Sequence, residues 1–250
     1  MSRQSLISRA SIAFGIGLSA GLINILPAQA FTYRFGAAST SSNATATGAA
    51  AKIEFDFEDV GNNQIQIDLQ IKNTTGEDIF GDGATTSKLT GVAFDMFEGF
   101  DLVSHSLGNQ LDTLLTEVAF KPFSNSLGDF DFALADNKNF EGGNANEALA
   151  EGLTDSISLV YSGLNGESID AFRNRFETAF DSEELKIAAR FQQVDENASD
   201  KLLGGEVEVQ EVPEPHNLLG LGLMTTGLLL LGKRKFQPMP KAVIAMHSAG

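Results

Sequence analysis

Ile65, Ile67, Leu69 and Ile71 alternate with Gln64, Gln66, Asp68 and Gln70. A period of two puts one face of a β-strand in a core and the other in water. Ile53, Phe55 and Phe57 repeat the pattern upstream, and Gly61-Asn62 supplies a turn between the runs, so this stretch predicts a β-hairpin. After a Gly/Asp-rich loop from Thr74 to Ser87, Leu89–Phe97 (LTGVAFDMF) reads as a third strand. Leu114–Phe120, Phe130–Leu134, Ser156–Tyr161, Leu185–Val194 and Glu206–Val209 are further predicted strands. Short strands between Gly/Asn/Asp turns give a mainly β fold class: an antiparallel β-sandwich or jelly-roll-like body with one or two short helices.

Two stretches depart from the alternation. Ser168 is placed to cap a helix in which Phe172, Phe176 and Phe180 recur every four residues on one face, with Asp170 in the favourable first turn. That helix is expected to close an open end of the sandwich. Ala37–Ala51 (AASTSSNATATGAAA) has no apolar period. Its composition predicts a flexible linker, so 31–51 is read as an arm ahead of a body spanning 52–211.

The ends carry targeting patterns. Arg3 and Arg9 precede an apolar, small-residue run from Ala10 to Leu26. Pro27 then leads into Ala28-Gln29-Ala30, a small-x-small cleavage pattern, with Phe31 next. This layout predicts a secretory signal peptide over 1–30, handled by the Sec machinery and cut by signal peptidase after Ala30. At the other end Pro213 and Pro215 break any preceding strand. Asn217–Gly232 is uncharged, roughly 24 Å long as a helix at about 1.5 Å per residue. Lys233, Arg234 and Lys235 follow it and would hold its cytoplasmic end. The segment 212–235 is therefore expected to be a short membrane helix, with 236–250 as a tail.

Charge separates these ends from the body. Phe31–Glu211 holds 32 of the 33 acidic residues and 11 of the 17 basic ones, a formal charge near −21 against −16 for the chain. Phosphate backbones and anionic lipid would repel such a surface, so no nucleic-acid partner is expected. The chain has no cysteine, so no disulfide holds the body together.

Candidate chemistry is sparse. His105 is the one histidine in the body, and no Gly-x-Ser-x-Gly elbow accompanies it, so no catalytic residue is assigned. Acid pairs such as Asp129 and Asp131 would suit a glycosidase only across a cleft of set width. Asp136, Asn139 and Glu141 lie in a Gly-rich loop and offer oxygen ligands for Ca²⁺, though not in EF-hand order. No other cofactor is expected. The body lacks Trp and has only Tyr33 and Tyr161, which argues against a wide sugar-stacking platform.

Val212-Pro213-Glu214-Pro215, the Gly/Leu-rich span and Lys233-Arg234-Lys235 resemble the PEP-CTERM sorting signal of Gram-negative bacteria. The resemblance implies export, transient anchoring in the inner membrane, processing near the motif by an exosortase-type enzyme, and release to the cell surface or extracellular matrix. It also implies an association with exopolysaccharide producers. Members usually stop after the basic residues, whereas this chain continues as FQPMPKAVIAMHSAG. LTGVAFDMF at 89–97, GDFDFALAD at 128–136, and AARFQQV with SDKLLGG within 188–205 are similar to recurring segments of PEP-CTERM proteins, notably cyanobacterial ones. The expected function is that of an exported, non-enzymatic surface or matrix protein. A Ca²⁺- or polysaccharide-binding adhesion module, or a secreted hydrolase with paired carboxylates, are the alternatives.

Overall fold

The computed structural model describes residues 30–142 and 144–208. Among them the strands are β1 (Phe31–Phe35), β2 (Thr40–Ser41), β3 (Ala51–Gly61), β4 (Gln64–Asn73), β5 (Lys88–Phe94), β6 (Asp101–Ser106), β7 (Thr113–Val118), β8 (Phe130–Ala135), β9 (Leu149–Ala150), β10 (Thr154–Ser162), β11 (Ile187–Val194), β12 (Ala198–Leu203) and β13 (Glu206–Glu208). The helices are α1 (Ser124–Leu127) and α2 (Ile169–Asp181), with a 3-10 turn at Ala145–Glu147.

The hairpin read from the alternation is β3–β4, in register from Ala51 opposite Asn73 to Asp59 opposite Ile65. Asn62 and Asn63 close it with φ of 54° and 63°. Positive φ at both central positions matches the right-handed twist of the strands, and Asn tolerates it. This hairpin is central to the first sheet, ordered β13-β1-β3-β4-β10-β6. The second sheet runs β2-β12-β11-β5-β8-β7, with β9 also beside β5. Every pairing is antiparallel. Ile53, Phe55, Ile67, Leu69 and Leu159 of the first sheet share one core with Leu89, Val92, Leu134, Phe191 and Leu202 of the second. The body is thus a two-layer antiparallel β-sandwich.

Helix α2 forms as its pattern predicts. The Ser168 hydroxyl accepts from Ala171 N, Asp170 lies in the first turn, and Phe172, Phe176, Ala179 and Phe180 are buried. Phe176 lies 5.8 Å from Phe55 and 5.6 Å from Phe57, and Phe172 5.1 Å from Phe100. The helix therefore packs its apolar stripe on the inner face of β1 and β3 and on the loop after β5.

The expected flexible arm over 31–51 is corrected by the structure. Phe31, Tyr33 and Phe35 are buried in β1, and β2 pairs Thr40 and Ser41 with Leu203 and Leu202. Thr47, Ala49, Ala50 and Ala51 are buried. A Cβ on Gly48, whose φ is +96°, would lie 2.6 Å from Ala84 N and 2.7 Å from Phe80 O. The Ala/Gly composition here permits close backbone packing. Lack of side-chain bulk looks the same in sequence whether it serves flexibility or close approach.

A second apolar cluster lies on the outer face of the second sheet. Ala93, Ala133, Ala135 and Ala188 lie beneath Phe120, Phe123, Phe130 and Phe140, which come mostly from the connections before and after β8. A Cβ on Gly91 would lie 2.4 Å from Phe140 Cε2, so this strand is kept thin to admit the ring. The signal-peptide residues through Gln29 and the predicted membrane segment 212–235 lie outside the described residues, as does the tail.

Candidate functional site

The buried acids are placed by loops and hold those loops. Asp155, at the start of β10 and 3 % exposed, accepts from Asn109 N at 2.9 Å, Gln110 N at 3.0 Å and Leu111 N at 2.8 Å. It thereby satisfies three amides of the β6–β7 connection. Gly108 passes so near that a Cβ would meet the Asp155 carboxylate at 2.1 Å. Asp200, 1 % exposed, accepts from the Ser41 hydroxyl and from both the amide and hydroxyl of Thr47, fixing the segment before β3. Buried Asn73 donates to Ser87 O and Leu149 O, and its oxygen accepts from Thr75 N. These groups do what disulfides do in small disulfide-rich domains: they tie loops to the sandwich. Sequence reasoning missed them because nothing in an isolated Asp distinguishes a buried loop anchor from a solvated one.

Of the three candidate calcium ligands, Glu141 and Asp136 use carboxylate oxygens on other partners, and Asn139 is held through its backbone. Glu141 Oε1 accepts from Lys121 N, and Oε2 pairs with the Lys201 ammonium. The backbone N–H of Asn139 donates to Asn137 Oδ1, and its backbone carbonyl accepts from Gly142 N. Asp136 Oδ1 accepts from Asn137 Nδ2, while its buried Oδ2 has no partner. Burial pushes the Asp136 carboxyl up to about 6, against the pull of the Arg190 guanidinium. Burial also lowers the Arg190 pKa, and that guanidinium donates to Thr90 Oγ1 and Glu141 O. Among the described residues no group of three or more His, Cys, Asp or Glu side chains is placed to hold a metal ion.

His105 is exposed on the edge strand β6, opposite Leu159 of β10. The β6–β10 register shifts at Val160/Tyr161, leaving Val103 out of register and 52 % exposed. Such a bulge blunts an open edge against pairing with another chain. Asp129 precedes β8, and its carbonyl accepts from Lys186 Nζ. Asp131 Oδ2 accepts from Met96 N at 2.9 Å. Among the described residues Asp131 is held through its carboxylate and Asp129 through its backbone carbonyl.

A second acid pair, not singled out by the sequence, lies on the outer face of the first sheet. Asp56 and Asp68 face each other directly across β3 and β4. With Glu54, Gln70, Ser156 and Ser158 they line an open depression of about 530 Å³. Lys52 pairs with Glu54 and Lys72 with Glu77, whereas Asp56 and Asp68 have no cationic partner among the described residues. Directly opposed like charges on a sheet are destabilising, so this row is held by the surrounding fold. It presents carboxylate, amide and hydroxyl groups together on one polar face.

Pro213, Glu214, Pro215, Lys233, Arg234 and Lys235 lie outside the described residues, as does Ala28. Ala30 and Phe31 do not: the backbone enters β1 at Phe31, and Ala30 O accepts from Arg173 Nη2 at 3.2 Å. Among the described residues no helix is long and apolar enough to cross a membrane. What the fold defines is the class, an antiparallel β-sandwich with one closing helix. No protein-family model matches the chain, and neither a curated protein nor a solved structure does.

Proposed function

We propose that this is an exported, non-enzymatic protein of the cell surface or extracellular matrix, sorted through the PEP-CTERM-like segment at 212–235. The observation that carries the reading is the start of β1. Phe31 is the residue that cleavage after Ala30 would leave first, and it also opens the first described strand, with no exposed surface. The predicted cleavage point thus lies directly before the first described strand.

Thr32 pairs with Glu208, so the first and last described strands meet at one edge of the first sheet. Segments attached at 30 and 208 leave the body close together. That arrangement suits a body held at a membrane by one corner before release. The buried carboxylates Asp155 and Asp200 serve loop backbone, which suits a structural rather than a hydrolytic body.

N-terminal sequencing of exported protein is expected to begin at Phe31. An intact Met1 in that fraction, or a mature body confined to the cytoplasm, overturns the proposal. Replacing Pro213 and Pro215 with Ala should let a helix extend toward Glu211 and leave the chain uncut in the inner membrane. Release as fast as wild type would mean that the Pro-Glu-Pro motif is not the element recognised for processing.

The polar depression over Asp56, Asp68 and the serines favours one second reading, an adhesion module for Ca²⁺ or polysaccharide. Calorimetry with Ca²⁺, with and without acidic oligosaccharides, separates it from the first.

A further inference from the structure

A different depression, of about 380 Å³, opens between the loop after β5 and the start of β8. Its lining includes Met96, Phe97, Glu98, Phe100, Asp131 and Phe132. The three phenyl rings are half-buried, unlike the ring stack under α2, so part of each faces the opening. Both charged residues in the lining are acids. Glu98 is exposed and makes no hydrogen bond among the described residues. Asp131 uses Oδ2 for Met96 N and leaves Oδ1 free of hydrogen bonds among those residues.

Two of these rings already hold a cation. The Arg175 guanidinium lies 3.8 Å from the centroid of Phe97 and 5.8 Å from that of Phe100. It is fixed there by Glu167, with Nε to Oε1 at 3.1 Å and Nη2 to Oε2 at 2.6 Å. Behind Phe132, Tyr161 packs edge-on at 5.6 Å, and its fully buried hydroxyl has no hydrogen-bond partner. The field of Asp131 reaches that hydroxyl: burial first, and then Asp131, raises the Tyr161 pKa.

We propose that this depression binds a compact organic cation, a quaternary or alkylated ammonium, with its methyl groups against Phe97, Phe100 and Phe132 and its charge facing Glu98 and Asp131. The chemistry selects this class. An aromatic face attracts a cation through its quadrupole, and the attraction is strongest for a weakly hydrated one whose alkyl groups also bury apolar surface. A bare metal ion needs converging oxygens, and the lining supplies rings and two carboxylates instead. An anion would meet the two rim acids and a body of charge near −21. The site does not depend on the sorting reading, and its test leaves that reading untouched.

The test is calorimetry on the full chain with choline as probe, against the uncharged isostere in which carbon replaces the nitrogen. Choline should bind and the isostere should bind at least about threefold more weakly. Glu98→Gln, at an exposed position outside the core, should weaken choline by a similar factor and leave the isostere unchanged. Arg175→Gln removes a competing positive charge from the same rings and should tighten choline. Equal affinity for choline and its isostere would make the depression merely apolar. No change in Glu98→Gln, or no choline binding at all, would also overturn the proposal. Circular dichroism of both variants should match wild type, so that altered affinity is not altered folding.

Discussion

The two sheets of the sandwich solve burial differently. In the first, one face meets the core and the other meets water: Ile65, Ile67, Leu69 and Ile71 are buried while Gln66, Asp68 and Gln70 face out. In the centre of the second, both faces are covered. β5 is buried from Leu89 to Phe94, and β11 from Ile187 to Phe191. The outer face of β5, β8 and β11 carries Ala93, Ala133, Ala135 and Ala188, roofed by Phe120, Phe123, Phe130 and Phe140. A strand covered on both sides loses the period-two signature and reads as a continuous apolar run. The first sheet is therefore free to present a polar surface, and the second is the more deeply embedded layer.

The sharpest way to break this comparison is at adjacent residues of β4. Ile67 is 1 % exposed on the inner face. Ile67→Asp strands a carboxylate in the core and should cost about 4 kcal/mol or more. Gln66→Asp, one residue along on the water side, should stay within about 0.5 kcal/mol. Chemical denaturation measures both. Equal midpoints would mean that the facing of the strand is wrong.

The same experiment on the second sheet has a different geometry. Phe120 is fully buried on the outer side, 4.8 Å from Phe140 and 6.0 Å from Phe130. Phe120→Ala should cost about 3 kcal/mol through lost burial and the cavity left behind. Hydrogen exchange should quicken in β8 and the loops over it before it quickens in β3 and β4. Uniform quickening would show that the roof and the central core open as one unit.

These contrasts explain what the sequence disclosed. The β3–β4 hairpin, β10 and α2 are amphipathic, and each was legible from its own residues. β5, β8 and β11 were found as apolar runs, but their second covered face was not, because the Phe residues that cover it come mostly from separate connections. β1 was hidden inside a stretch dominated by Ser, Thr, Ala and Gly. Its Phe31, Tyr33 and Phe35 do alternate, and that signal was available. β2 and β9 are too short to carry a period, whereas β13 falls within the strand predicted at Glu206–Val209. The site residues fared worse. Asp155 and Asp56 look alike in sequence, yet one is buried under three loop amides and the other faces water. The aromatic depression joins residues more than 30 positions apart, a juxtaposition set by topology alone.

Loop anchoring gives a smaller test. Asp155→Asn keeps one acceptor oxygen but turns an amide donor toward N–H groups that need acceptors. It should cost about 2 kcal/mol. The loop from Leu107 to Asp112 should become the first site of proteolysis while the sheets persist. If cleavage begins elsewhere, the carboxylate does not govern that loop.

The last test separates the covered face from the exposed one by pH. Asp136, at the end of β8 beside the outer cluster, has its carboxyl pushed up to about 6 by burial, from an ordinary value of 3.8. Between those values the folded state binds more protons at this group than the unfolded chain does. Its contribution therefore favours folding at low pH, is lost as pH rises from about 4 to about 6, and is flat above. Asp195 works in the opposite sense. Backbone N–H groups of Thr85 and Thr86 lower its pKa, so its stabilisation is lost as pH falls. The raw pH profile mixes these signs, and the difference between wild type and Asp136→Asn isolates one of them. The variant, which cannot titrate there, should gain stability relative to wild type as pH rises through that window, with the difference levelling off above about pH 6. A difference that runs the other way would mean that Arg190 outweighs burial and holds Asp136 ionised. In that case the covered face of the second sheet would contain a true ion pair where the present geometry leaves Asp136 Oδ2 and Arg190 Nε without partners.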